Sequence, residues 1–218
     1  MHELVVDSLE ADAAQLSGLL SADERGRAGR FAFERDRRRY TVARARLRQL
    51  LGERLGVAPE SLQFVYNLHG KPALARRPGQ RDLRFNVAHC GEVAAYAFAE
   101  ARDVGVDVEE VRALPDADDI AMRFFSRRER AAYMRLPVRE RPQGFFNCWT
   151  RKEAFVKALG EGLSHPLEAF DVSLAPGRPA RLLRIGGVPA SRCGWTLSSF
   201  VPGPGLVGAI AVQMRVHR

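Results

Sequence analysis

The chain has 218 residues, 46% hydrophobic and 28% charged, the make-up of a globular protein with room for one large domain or two small ones. No run approaches twenty apolar residues, so no membrane span is evident, and the opening "MHELVVDSLEADAAQ" is acidic and lacks the basic-then-apolar pattern of a secretory signal. Lys and Arg number 34 against 26 Asp and Glu, a net charge of +8 that favours an anionic partner: nucleic acid, a nucleotide, a phosphorylated small molecule or an acidic protein.

In chain order, "SADERGRAGRFAFERDRRRYTVARARLRQLLGERLG" opens with a capping box in which Ser21 caps a helix and Glu24 returns the bond. Gly26 and Gly29 are expected to interrupt its first turns. A stronger helix is predicted from about Glu34 to about Arg54. Its apolar stripe is Ala43, Leu47, Leu50 and Leu51, with Arg35, Arg39 and Arg46 on one flank. Strand signals follow. "QFVY" precedes the turn "NLHGKP", and Gly91-Glu92 joins "LRFNVAHC" to "VAAYAFAE" as a two-residue hairpin. "VGVDVEEV" is a further strand, and after the connection "LPDADDI" helical segments cover about Asp118 to Gly160. The strands "FDVSL", "RLLRI", "WTLSSF" and "LVGAIAVQM" close the chain, separated by Pro and Gly clusters. Helices then strands, twice over, predict an α+β fold of two halves, residues 1–104 and 105–218. No sequence repeat accompanies this order. Cys90, Cys148 and Cys193 are odd in number and show no CxxC spacing, which argues against a disulfide framework or zinc site and fits a reducing cytoplasm.

Within "VGVDVEEV", alternation puts Val104, Val106 and Val108 on one face and Asp107 and Glu109 on the other. Two carboxylates roughly 6–7 Å apart along a strand repel unless a cation lies between them, and Mg²⁺ prefers such oxygens. The bland alternative is a solvated acidic face. In "WTRKEAFVKALGEGL", a helical wheel places Phe145, Trp149, Val156 and Leu159 on one face. Glu153 lies at its edge and Lys157 one turn later on the same edge, which is also what a surface pair worth ~0.3–0.5 kcal/mol would look like. Lys152 points into the stripe and must snorkel or find an anion. Lys71 sits in a Gly-Pro-framed turn, where it can hold an anion or simply be exposed. His89 ends a strand, where histidines are more often structural than ligating. Together these residues form the inventory of a phosphoryl-type transfer: acids for a metal, cations for phosphates, and a base.

"GVDVEEV" followed by "WTRKEAFVKALGEGL" resembles the GxDxE and WxxKEAxxKxxGxGL elements of the 4′-phosphopantetheinyl transferases, with "GKP", "FNVAHC", "RFFSRRE" and "HPLEAFDVSL" also similar. The length is similar to the large monomeric type, whose fold is two similar α+β halves, each an antiparallel sheet packed on helices. The resemblance implies transfer of the 4′-phosphopantetheine arm of coenzyme A to a serine of an acidic apo acyl or peptidyl carrier protein, releasing adenosine 3′,5′-bisphosphate. It further implies that Asp107, Glu109 and Glu153 bind Mg²⁺, that Glu153 is the general base and that Lys157 assists the leaving phosphate. Lys71 and His89 would hold coenzyme A, with Arg27 and Arg39 at its 3′-phosphate, and the site would lie between the halves. Trp149 would be a packing residue, and Glu129 occupies a recurrent acidic position. Ala88 and Cys90 stand where the family often has serines, and Glu24 where some relatives have lysine. A nucleic-acid-binding protein is the competing expectation, prompted by the arginine run from Arg25 to Arg48, although no recognised nucleic-acid motif accompanies it. An inactive relative would keep the fold, but Asp107, Glu109, Glu153 and Lys157 are intact.

Overall fold

A computed structural model of the chain describes residues 2–75, 79 and 81–215. The first half runs β1 (His2–Ser8), α1 (Ala13–Leu16), α2 (Ala22–Ala28), α3 (Glu34–Leu55), β2 (Phe64–Tyr66), β3 (Pro72–Leu74), β4 (Leu83–Cys90) and β5 (Val93–Glu100). The second runs β6 (Val104–Glu110), α4 (Ala117–Phe124), α5 (Arg127–Met134) and α6 (Arg141–Leu159). It continues through β7 (Phe170–Val172), β8 (Leu182–Ile185), β9 (Val188–Pro189), β10 (Trp195–Phe200) and β11 (Leu206–Gln213). The fold is the expected α+β. One sheet has the order β1-β5-β4 and another β6-β11-β10, all antiparallel. In each, the opening strand of the half pairs with the last, and the last pairs with the one before it.

Alternation explains how these sheets are used. Along β5, Ala94, Tyr96 and Phe98 join Val42, Leu47, Leu50 and Leu51 of α3 in one core. The intervening Ala95, Ala97 and Ala99 pack against Val104, Val106 and Val108 of β6 and Ile210 and Val212 of β11. A third core surrounds α6 and takes in Phe145, Phe155, Ala209 and Ala211. Where β4 and β6 run side by side, the buried Asn86 side chain accepts the Val106 N–H at 2.9 Å. Trp149 packs as expected, with ring centroids 6.0 Å from Phe145 and 6.2 Å from Phe124.

One local expectation needs correction, and two strands go beyond what the sequence signals. β1 was not signalled, because the strand is an edge strand with no fully buried residue and so carries little apolar alternation. Gly26 does not interrupt α2, which runs on to Ala28 with Gly29 as its C-cap. The capping box holds that first turn and offsets the cost of glycine, about 1 kcal/mol. β3 begins on Pro72, which needs no ladder N–H at a strand's first residue.

Each half contains a buried glutamate that closes a capping box and pairs with a cation on the long helix. Glu24 accepts the Ser21 N–H at 2.9 Å and Arg48 Nε at 2.7 Å, with Arg44 Nε on its other oxygen. Glu129 accepts the Ser126 N–H at 2.7 Å and the Val172 N–H at 2.7 Å, and its Oε2 lies 2.8 Å from Lys152 Nζ. Lys152 thus finds its anion, and also donates to the carbonyls of Leu167 at 2.7 Å and Phe170 at 2.8 Å. Glu129 therefore ties α5, β7 and α6 together. Breaking such a pair from one side leaves a buried charge uncompensated. Glu129→Ala and Lys152→Ala are each expected to cost about 3–5 kcal/mol in urea denaturation. Glu129→Leu/Lys152→Met should cost well under the sum, whereas additive losses would show that the two groups do not act as a pair.

Candidate active site

The site begins with a close backbone approach. A Cβ on Gly105 would lie 2.1 Å from the Ala154 carbonyl oxygen and 2.3 Å from the Ala158 nitrogen, so β6 rests directly on α6. Asp107 and Glu109 follow on the same face of the strand as Gly105. They are carried along the helix edge that bears Glu153 and Lys157.

Lys157 Nζ donates to Asp107 Oδ1 at 2.6 Å, rather than pairing with Glu153 one turn away. Asp107 is buried, and its Oδ2 has no hydrogen-bond partner among the described residues. Burial raises the Asp107 carboxyl pKa, with Lys157 opposing the rise. The Glu109 carboxyl is raised by burial and then by Asp107, with Glu153 adding to it. Glu153 is raised by burial and then by Asp107, against Lys157. The three acids are thus one electrostatic unit, drawn from a strand and a helix far apart in sequence. As the side chains stand, no three His, Cys, Asp or Glu among the described residues close into a metal-holding group, and the ammonium of Lys157 lies on Asp107 Oδ1. Their donor chemistry nonetheless suits a hard divalent ion: carboxylate oxygens that repel one another, one of them buried and unsatisfied.

The cations lie alongside. The His89 pKa is lowered by burial, then by Lys157 and Arg39, so these three share one electropositive region. Arg39 donates through Nε at 2.9 Å and Nη2 at 2.8 Å to Glu92 in the β4–β5 turn. The Arg27 guanidinium lies 5.5 Å from the centroid of the Tyr40 ring. It also lines an open cavity of about 570 Å³ with Asp23, Arg30, Phe31 and Tyr66. The sequence alone does not mark Arg30, Phe31 and Tyr66. Their signal was one of type alone, cations and aromatics near a basic stretch. Ala88 is buried between the halves, and the Cys90 thiol is raised by burial and by Glu109.

Lys71 is not held out toward solvent. Its Nζ donates to the Ala158 carbonyl at 2.9 Å and the Val104 carbonyl at 3.3 Å. Asn67 Nδ2 donates to the Gly160 carbonyl at 2.7 Å, and Asn67 Oδ1 accepts the N–H groups of His69 at 3.0 Å and Lys71 at 2.9 Å. The "NLHGK" turn of the first half therefore grips the C-terminus of α6, where unpaired carbonyls and the helix dipole favour a cation. Glu24, where some relatives have lysine, is committed to the buried pairs described above.

The chain resembles known proteins along most of its length. Residues 103–200 match the 4′-phosphopantetheinyl transferase superfamily and residues 8–101 match the 4′-phosphopantetheinyl transferase N-terminal family. The 4′-phosphopantetheinyl transferase HetI of Nostoc sp. is 39% identical over 212 residues, 97% of this chain and 86% of that protein. The 4′-phosphopantetheinyl transferase Sfp of Bacillus subtilis is 30% identical over 155 residues, 71% of this chain and 66% of that one. A solved holo-acyl-carrier-protein synthase of Thermotoga maritima aligns at a TM-score of 0.38 and 24% identity, over 52% of this chain and 64% of that one. The chain is a transferase of the phosphopantetheinyl class. It belongs to the 4′-phosphopantetheinyl transferase superfamily, whose members use coenzyme A to modify carrier proteins. No helix among the described residues is long and apolar enough to cross a membrane.

Two measurements test how the site is built. Gly105→Ala should cost at least about 3 kcal/mol of stability, since backbone rather than a flexible side chain meets the new methyl. A loss under 1 kcal/mol would mean that strand and helix can part cheaply. The second uses Lys71, whose pKa burial lowers to about 8 from the unperturbed 10.5. Folding then releases a proton between these values, so the unfolded chain binds more protons and stability rises with pH across that window. The stability of the wild type relative to Lys71→Met should climb from about pH 8 to about pH 10 in denaturation experiments. A difference that is flat or falling there would show that Lys71 is not buried.

Proposed function

We propose that the chain transfers the 4′-phosphopantetheine arm of coenzyme A to a serine hydroxyl of an acidic apo acyl or peptidyl carrier protein, with Asp107, Glu109, Glu153 and Lys157 as the reacting centre. One observation carries this reading. Lys157 meets Asp107 at 2.6 Å, while the second oxygen of that buried carboxylate has no partner among the described residues. Residues 1–104 supply the coenzyme A contacts and residues 105–218 the acids, with the site between them, and the chain acts as a monomer.

Asp107, Glu109 and Glu153 are the residues that would hold Mg²⁺, which when bound supplies positive charge against the pyrophosphate of coenzyme A. Glu153 takes the proton from the serine Oγ. A raised pKa makes it a stronger base than a free glutamate, at the expense of remaining protonated to higher pH. The serine Oγ forms a bond to the phosphorus that bears the pantetheine arm. The bond from that phosphorus to the adjacent bridging oxygen breaks, and adenosine 3′,5′-bisphosphate leaves with the electron pair. Lys157 Nζ can move from Asp107 to the departing phosphate, hydrogen-bonding to or protonating its oxygen. His89, Arg39 and Arg27 hold the 3′-phosphate end. Lys71 acts from behind, fixing the end of α6 one residue beyond Lys157, so its contribution to coenzyme A binding is indirect.

Nucleic acid is not the partner in this reading. Several cations of the arginine run are paired within the chain, Arg38 on Glu92, Arg44 and Arg48 on Glu24 and Arg46 on Asp7. A continuous phosphate-tracking surface needs such cations free.

The reaction is tested by incubating a panel of apo carrier proteins with coenzyme A and Mg²⁺ and reading intact mass. The expected result is a gain of one phosphopantetheine on at least one carrier, abolished by Asp107→Ala; no gain on any carrier, or full turnover in that variant, contradicts the assignment. Lys157→Ala should lower kcat by about 100-fold while coenzyme A binding by calorimetry changes by under about threefold. Lost binding with normal turnover would make Lys157 a binding residue instead.

A further inference from the structure

The turn between β4 and β5 holds a carboxylate that the proposed mechanism does not use. Glu92 follows Gly91, whose φ of +56° suits the two-residue turn. One oxygen of Glu92 accepts from Arg38 Nη2 at 2.8 Å, Arg39 Nε at 2.9 Å and Arg39 Nη2 at 2.8 Å. Arg38 Nη1 also donates to the Leu9 carbonyl at 2.5 Å. Two guanidiniums on consecutive residues repel each other, and this oxygen lies between them. The second oxygen, Oε2, is buried and has no hydrogen-bond partner among the described residues.

The arrangement leaves Arg39 little freedom. Its Nε and Nη2 edge is taken by Glu92, and on the other side, among the described residues, Nη1 has Asp36 at 3.9 Å. Glu92 stands three residues after His89 in the same hairpin. Strand β4, with His89 as its penultimate residue, thus leads directly into the anchor of Arg39. Glu92 cannot itself receive a phosphate, which it would repel. Its value lies in geometry, since an arginine already held in one rotamer loses less freedom when it binds an anion.

We infer that Glu92 is a positioning residue that aims the free edge of Arg39 at the 3′-phosphate of coenzyme A, and so sets the preference for coenzyme A over 3′-dephospho-coenzyme A. This rests on the proposed placement of that phosphate by His89 and Arg39. The two ideas make separable predictions. A purely electrostatic carboxylate beside a phosphate would weaken coenzyme A binding, so its removal would raise the preference. A positioning carboxylate does the reverse.

The test is calorimetric titration of the full chain with coenzyme A and with 3′-dephospho-coenzyme A, taking the ratio of the two dissociation constants. Glu92→Ala should reduce the preference for coenzyme A about tenfold and leave the Kd for the dephospho form within about twofold. Glu92→Gln keeps an acceptor oxygen without the charge and should reduce the preference by about threefold, a partial rescue; it also decides the matter if the alanine variant does not fold. Arg39→Gln should collapse the preference by itself. An unchanged or raised preference in the Glu92 variants, with collapse in Arg39→Gln, overturns the positioning role alone. An unchanged preference in Arg39→Gln places the phosphate elsewhere and overturns both.

Discussion

The distance between β6 and α6 governs the site, and the missing side chain of Gly105 sets that distance. With no Cβ, the strand lies against Ala154 and Ala158 of the helix. The acids two and four residues along the strand then reach the helix edge that carries Glu153 and Lys157. Any side chain at Gly105 would lift the strand and separate Asp107 from Lys157, now 2.6 Å apart. The other contacts around α6 serve the same placement. The Glu129–Lys152 pair secures its middle, the Asn67–Lys71 turn grips its C-terminus, and Asn86 holds the Val106 N–H beside Asp107.

The fold uses the same device twice. Glu24 and Glu129 each close an S-x-x-E capping box, lie buried, and pair with a cation on the long helix of their own half, Arg48 or Lys152. The two sheets share a strand order. The halves differ in the charged groups they bring together. The second presents buried acids and a lysine, and the first presents His89 and arginines steadied by Glu92. In the proposed reaction the cations would take the anionic end of coenzyme A and the acids would hold Mg²⁺ at its pyrophosphate.

Much of this was legible in the sequence wherever one local period sufficed. Alternation placed Asp107 and Glu109 on one strand face. The helical wheel showed that Lys152 pointed into an apolar stripe and needed an anion. Partners chosen by tertiary structure were not legible. Glu129 lies on another helix, so nothing near Lys152 named it. Helical spacing offered Glu153 to Lys157, but burial of Asp107 made that carboxylate the stronger claimant. The sequence leaves Lys71 as either an anion holder or an exposed lysine because its turn reveals nothing of the carbonyls at the end of α6. Arg39 was recognised as a cation, yet Glu92, which orients it, read only as a turn residue. β1 leaves no pattern in the sequence because an edge strand buries too little.

The central claim is that acids from β6 and α6 form one divalent-metal site in the presence of coenzyme A, and it is tested most directly without turnover. Mn²⁺ can stand in for Mg²⁺, and its binding to the coenzyme A complex can be followed by electron paramagnetic resonance. The account predicts one Mn²⁺ site in the wild type, weakened at least about tenfold by Asp107→Asn and by Glu153→Gln separately. Wild-type affinity in Glu153→Gln alongside loss in Asp107→Asn would show that strand and helix do not share the ion, and would contradict the account.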